Sequence, residues 1–179
     1  MPAEIFGERY EFLPRDQILS FEEIQRVARA TTALGVSKIR ITGGEPLLRR
    51  KLDTLIRALA AVPEVADLTL TTNGVLLRDQ VDRLKAAGLN RITISLDSLD
   101  PVVFREMAGR DVSPDVVLDA IDAAEQASLS PIKINAVIKR GVNDHTFVDL
   151  ARHFHGTGHI VRFIEYMDVG NRNDWQLDH

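Results

Sequence analysis

The sequence predicts an α/β fold, an incomplete and open TIM-like parallel barrel of the (β/α)6 type, with about five strands and the helices outside. Three observations predict it. Short β-branched runs alternate with amphipathic helical segments along the chain. Each strand is followed by a helix, so the connections are crossovers and the sheet is parallel. The length of 179 residues falls short of the roughly 250 that a closed eight-unit barrel takes.

Ser20 and Glu23 form a capping box ahead of FEEIQRVARATTALG, a helix that stops at Gly35. The first strand is KIRIT (38–42), and Leu52, Leu55, Ile56 and Leu59 then set a helix over 50–61. The second strand is LTLTT (68–72), followed by a helix over 77–87 that turns Val81 and Leu84 inward and ends at Gly88. After RITIS (91–95), Pro101 behind Asp100 opens a short helix, and Pro114 opens a longer one through Ala127. The fourth strand is IKINAVI (132–138), a helix runs from Asp144 toward His155, and IVRFIEY (160–166) is the fifth strand. No linker or low-complexity tract interrupts this order, so residues 1–179 are expected to form a single domain.

Hydrophobic residues make up 45% and charged residues 27%, a balance that excludes a disordered chain. The net charge of −4 offers no basic surface to nucleic acid or anionic lipid. No apolar run is long enough to span a membrane and MPAEIFGERY has no signal-peptide core, so a cytoplasmic location is expected. The absence of cysteine excludes disulfides, thiolate catalysis and every Cys-ligated metal centre within the chain. His153, His155 and His159 read as a solvated helix end, and no metal ligand is assigned.

Four strands place polar residues on one face and apolar residues on the other. Arg40 and Thr42 oppose Ile39 and Ile41, and Thr69, Thr71 and Asn73 oppose Leu68 and Leu70. Thr93, Ser95 and Asp97 oppose Ile92, Ile94 and Leu96, and Lys133 and Asn135 oppose Ile132 and Ile134. The fifth strand carries Arg162 and Glu165 on opposite faces and is not assigned. The apolar faces must meet the helices, which turns the polar faces into the barrel. Unpaired buried polar groups cost about 1–3 kcal/mol each, so this interior is expected to hold a large polar ligand. An antiparallel sheet with a solvent-facing polar side is the alternative.

Ligands of parallel α/β folds sit at the carboxyl ends of the strands. The first strand ends in Thr42-Gly43-Gly44-Glu45-Pro46, where two glycines allow close approach to a zwitterionic group. The spacing fits neither a P-loop nor a dinucleotide fingerprint. A tight turn is equally compatible with this motif alone. Asp97 and Asp100 suggest a carboxylate pair, although Asp100 before Pro101 is more simply a helix cap.

KIRITGGEPLLRR, LTTNG, ISLDSLD, KINAVI and RFIEYMDVG occur in the order and spacing of the radical S-adenosylmethionine enzymes. The whole chain most nearly resembles the GTP 3′,8-cyclases, lyases of molybdenum cofactor biosynthesis that convert GTP to 3′,8-cyclo-7,8-dihydro-GTP. The resemblance implies S-adenosylmethionine against Gly44, Ser95 and Met167, and GTP against Arg40, Thr71 and Lys133. Asn135, Arg162 and Glu165 would extend the same lining; no catalytic residue is assigned. It implies radical chemistry in which a 5′-deoxyadenosyl radical takes the ribose 3′ hydrogen and the carbon radical closes onto C8 of guanine.

The full-length family uses two [4Fe-4S] clusters, neither of which this chain can ligate. The chain is therefore expected to be the middle of such an enzyme, inactive alone, lacking a C-x-x-x-C-x-x-C segment before Met1 and a second cluster region beyond His179. The family is often homodimeric, and self-association of the fragment is expected through an open edge at Lys38–Thr42, with Met1–Ile18 as its only local cover. Two alternatives stay open: another radical S-adenosylmethionine enzyme, and a nucleotide-binding remnant or assembly partner that receives its cluster loop from another chain.

Overall fold

The computed structural model describes residues 17–167. Five strands, β1 (Lys38–Ile41), β2 (Asp67–Thr72), β3 (Arg91–Ser95), β4 (Lys133–Ile138) and β5 (Ile160–Glu165), form one sheet in that order. Every neighbouring pair is parallel, which excludes the antiparallel alternative. The helices are α1 (Phe21–Thr32), α2 (Leu52–Ala60), α3 (Val81–Ala86), α4 (Pro101–Ala108), α5 (Pro114–Gln126) and α6 (Phe147–His153). Within the described residues the sheet is open, with β1 and β5 as edges. The expected cover for the first edge, Met1–Ile18, lies almost wholly outside them.

Local chemistry explains where the helices begin. The Ser20 hydroxyl accepts Glu23 N–H at 3.1 Å while the Glu23 carboxylate accepts Ser20 N–H at 2.8 Å, a reciprocal capping box. The Asp100 carboxylate accepts both Val102 and Val103 N–H, which makes it the cap of α4 and not half of a carboxylate pair. Two helices start later than their apolar spacing predicts. The Leu77 carbonyl accepts from both Gln80 and Val81, so a turn consumes the residues before α3. The Asp144 carboxylate accepts Gly141 N–H and caps a turn, so α6 begins only at Phe147. A 3-10 turn over Pro46–Leu48, absent from the sequence expectation, follows β1.

The core lies between the helices and the outer face of the sheet. Leu68, Leu70, Ile92, Ile94, Ile132 and Ile134 are fully or almost fully buried against Leu55, Ile56, Leu59, Leu84, Val117 and Ile121. Each such side chain stabilises the fold by about 1.5–3 kcal/mol, which is why the alternation of β2–β4 fixes the face. Gly88, just after α3, lets the chain pass close to the end of α2: its φ is 109° and a Cβ there would lie 2.6 Å from Ala60 Cβ. No helix of the described residues is long and apolar enough to cross a membrane.

Candidate functional site

Residues in register on parallel strands point to the same side of the sheet. The inner face is therefore a set of rows. Lys38 pairs with Asp67; Arg40, Thr69 and Arg91 form the next row. Thr71, Thr93, Lys133 and Ile160 follow, then Ser95, Asn135 and Arg162. The strand that the sequence left unassigned thus falls into place. Arg162 donates Nε and Nη2 to Asn135 Oδ1 at 3.0 and 2.7 Å and belongs to the lining. Glu165 is in register with Ile138 on the other side of the sheet, so its expected place in the lining is corrected.

Two sites of opposite character lie on this face. At the carboxyl ends of the strands, a cavity of about 390 Å³ is lined by Gly44, Glu45, Asn73, Ser95, Asp97 and, on its apolar wall, Phe104 and Met107. Glu45 ties its two nearest strand ends together. One carboxylate oxygen accepts Thr72 Oγ1 at 2.7 Å and Leu47 N–H at 3.0 Å; the other accepts Asn73 N–H at 2.8 Å. The backbone of Gly44 faces open space, with nothing within 4 Å of where a Cβ would stand.

Across the cavity, Asp97 accepts Val137 N–H at 2.8 Å through one oxygen. Its burial pushes the carboxyl above the usual carboxylate range, opposed in part by that hydrogen bond. Fully buried Asn143 braces the same corner by donating its amide to the carbonyls of Asp97 and Val137 and accepting Lys139 N–H. Sequence reasoning missed both staples, Glu45 and Asn143. Glu45 was visible as a carboxylate beside two glycines, but the Asn143 brace depends on Asp97, 46 residues away, which no local pattern brings beside it.

Nearer the amino ends of the strands, Lys38, Arg40, Arg91 and Lys133 line a shallow basic cleft with Thr69 and Thr93. Arg40 and Lys133 therefore converge on this cleft, below the Ser95 row. The cause is register, because Lys133 is the first residue of β4 and meets Thr93, not Ser95. Partial desolvation holds the Lys133 ammonium below its usual pKa, and Arg162, Arg91, Lys38 and Arg40 push in the same direction. Thr71 shares the Lys133 row, and its hydroxyl is buried without a partner among the described residues. Met167 is 61% exposed and outside the lining of the upper cavity, so Gly44 and Ser95 are brought together without it.

A family model described as the Radical SAM superfamily matches residues 5–154. The chain belongs to the radical SAM superfamily. This radical SAM chain is 55% identical over 176 residues to the GTP 3′,8-cyclase of Acidothermus cellulolyticus, covering 98% of this chain and 49% of the relative. It is 51% identical over 176 residues to the GTP 3′,8-cyclase of Xanthomonas campestris pv. campestris, covering 98% of this chain and 52% of the relative. It thus spans about half the length of the curated relatives it matches. Among solved structures, methylornithine synthase superposes with a TM-score of 0.68 at 18% identity, covering 90% of this chain and 48% of that one. HydG, a maturase of the [FeFe]-hydrogenase, gives 0.65 at 14% identity, covering 84% and 37%. These two share the fold.

A superfamily member of this kind implies an iron–sulfur cluster, and the residues present do not fit one. The chain has no cysteine. Among the described residues no three His, Cys, Asp or Glu side chains converge to hold a metal ion.

Proposed function

We propose that this chain is the central part of a GTP 3′,8-cyclase of molybdenum cofactor biosynthesis, with S-adenosylmethionine in the upper cavity and GTP on the basic lining below. The observation that carries the reading is the 55% identity spread over 98% of the chain, which takes in every strand end that forms the two sites. Local chemistry supports the division of ligands. The upper cavity joins Glu45 and Asp97 to an apolar wall, which suits a ligand with a sulfonium, an ammonium and an adenine ring. The lower cleft gathers cations, which suits a triphosphate.

In this reading Gly44 leaves room for the methionine end, Ser95 donates to and accepts from the nucleoside, and Met167 contacts the adenosyl portion from the rim. Arg40 and Lys133 hold phosphate oxygens, one as a planar fork and one as a point charge. Thr71 gives its unpartnered hydroxyl to the same ligand. The cofactor, when bound and reductively cleaved, supplies radical chemistry; the chain's own residues align the two nucleotides and exclude water between them. The two [4Fe-4S] clusters of such an enzyme find no ligands here, so the chain alone is expected to be inactive in a cytoplasmic setting, its partners being GTP and a cluster-bearing polypeptide.

Binding to the isolated chain tests the reading without cluster chemistry. Calorimetric titration is expected to show S-adenosylmethionine binding that Gly44→Val abolishes, since Gly44 lines the cavity and a Cβ there meets nothing else within 4 Å. GTP binding should weaken about tenfold or more in Lys133→Ala, the cost of one charge-assisted hydrogen bond. Indifference of both ligands to both substitutions refutes the site. Formation of 5′-deoxyadenosine from S-adenosylmethionine by the isolated chain, supplied anaerobically with iron, sulfide and a one-electron reductant, refutes the expected inactivity.

A further inference from the structure

The nucleotide reading uses Arg40 and Lys133 but leaves Lys38, Asp67 and Arg91 without a task. Arg91 donates Nε to Asp67 Oδ1 at 2.9 Å and Nη2 to Oδ2, and Lys38 Nζ lies 3.4 Å from the same carboxylate. The Arg91 guanidinium holds the Asp67 carboxyl below the usual carboxylate range, so it stays ionised at neutral pH. With its Nε edge engaged, Arg91 keeps Nη1 free of any partner among the described residues. This group is not an outward-facing surface pair. It stands on the inner face, with Arg91 in the row of Arg40, one row from Lys133, and Lys38 and Asp67 one row further toward the amino ends.

Lys38, Arg40, Arg91, Lys133 and Arg162 share this lining with Asp67 as the carboxylate among these rows. Such crowding of like charge costs free energy until an anion enters it. Successive rows are two residues apart, about 6.6 Å along the strands. A phosphate chain held at Lys133 and running toward the amino ends meets the Arg40–Arg91 row next. We propose that Arg91, positioned by Asp67 and backed by Lys38, seats the terminal phosphate of a nucleoside triphosphate and makes the site select by phosphate number. The inference rests on the reading that this lining takes GTP.

The test titrates the 179-residue chain with orthophosphate, pyrophosphate, tripolyphosphate and GTP, in the wild type and in Arg91→Met, Arg91→Lys and Lys133→Met. Affinity should rise with phosphate number in the wild type. Arg91→Met should cost tripolyphosphate and GTP about tenfold while leaving pyrophosphate nearly unchanged, the loss of one charge-assisted bond at the far end. Arg91→Lys should recover only part, because it keeps the charge and loses the fork that Asp67 orients. Lys133→Met should weaken pyrophosphate and tripolyphosphate alike. If Arg91→Met fails to fold by circular dichroism, the Arg91→Lys ratio of tripolyphosphate to pyrophosphate decides. Equal losses for every phosphate length, no loss, or no tripolyphosphate binding by the wild type overturn the seat. GTP binding no tighter than tripolyphosphate, with the length dependence intact, overturns the GTP reading and leaves the seat standing.

Discussion

Replacing Glu45 tests whether the strand ends are held by a side chain or by the backbone alone. Its carboxylate accepts three hydrogen bonds, from Thr72 Oγ1, Leu47 N–H and Asn73 N–H. At about 1 kcal/mol each net, with extra cost for donors left unpaired, Glu45→Ala should destabilise the fold by about 3 kcal/mol. Glu45→Gln keeps one acceptor oxygen and turns an amide donor toward a donor, and about 1.5 kcal/mol is expected. Against a total of roughly 5–15 kcal/mol, either loss is measurable in urea unfolding. For a domain of this size the alanine variant's midpoint should fall by about 6–12 °C. Amide exchange at Asn73 should accelerate in both variants, because its N–H partner is lost or weakened. An alanine variant within about 0.5 kcal/mol of the wild type, or a glutamine variant as unstable as the alanine one, refutes the staple.

Gly88→Ala should cost about 2–4 kcal/mol, since φ is 109° and the new methyl meets Ala60 Cβ at 2.6 Å; a midpoint unchanged in thermal melting disproves that contact. For Asp97, burial raises the folded pKa, so the folded state holds its proton more tightly than the unfolded chain. Its contribution is present below the unfolded pKa and lost as pH rises through the raised folded pKa. Asp97→Asn keeps an acceptor for Val137 N–H, and should be more stable than the wild type at neutral pH and lose its advantage in acid; urea midpoints across that range check the crossover. Amides of residues 38–42 should exchange faster than those of 68–72 and 91–95, because β1 has one partner strand among the described residues. Uniform protection in a dilute monomer means that another segment pairs with β1, and it also removes the ground for edge-mediated self-association.

The order of elements and the face of each strand were legible because they are local and periodic. The alternation in LTLTT and RITIS buries Leu68, Leu70, Ile92 and Ile94 and leaves threonines opposite, and a one-residue slip would reverse it. The lack of cysteine likewise follows from the sequence, and so does the absence of a cluster-ligating set. Register is a different matter. Thr93 and not Ser95 meets Lys133, which places Lys133 one row below the Ser95 row, and that depends on how β4 seats beside β3. Arg162 had no assignable face until Asn135 came to lie beside it. The Asp67–Arg91 pair joins residues 24 apart, and the Glu45 and Asn143 staples join strand ends 27 and 40 or more residues apart. Such bonds have no sequence period, because a polar side chain finds its partner only after the packed outer face has fixed the strands in place.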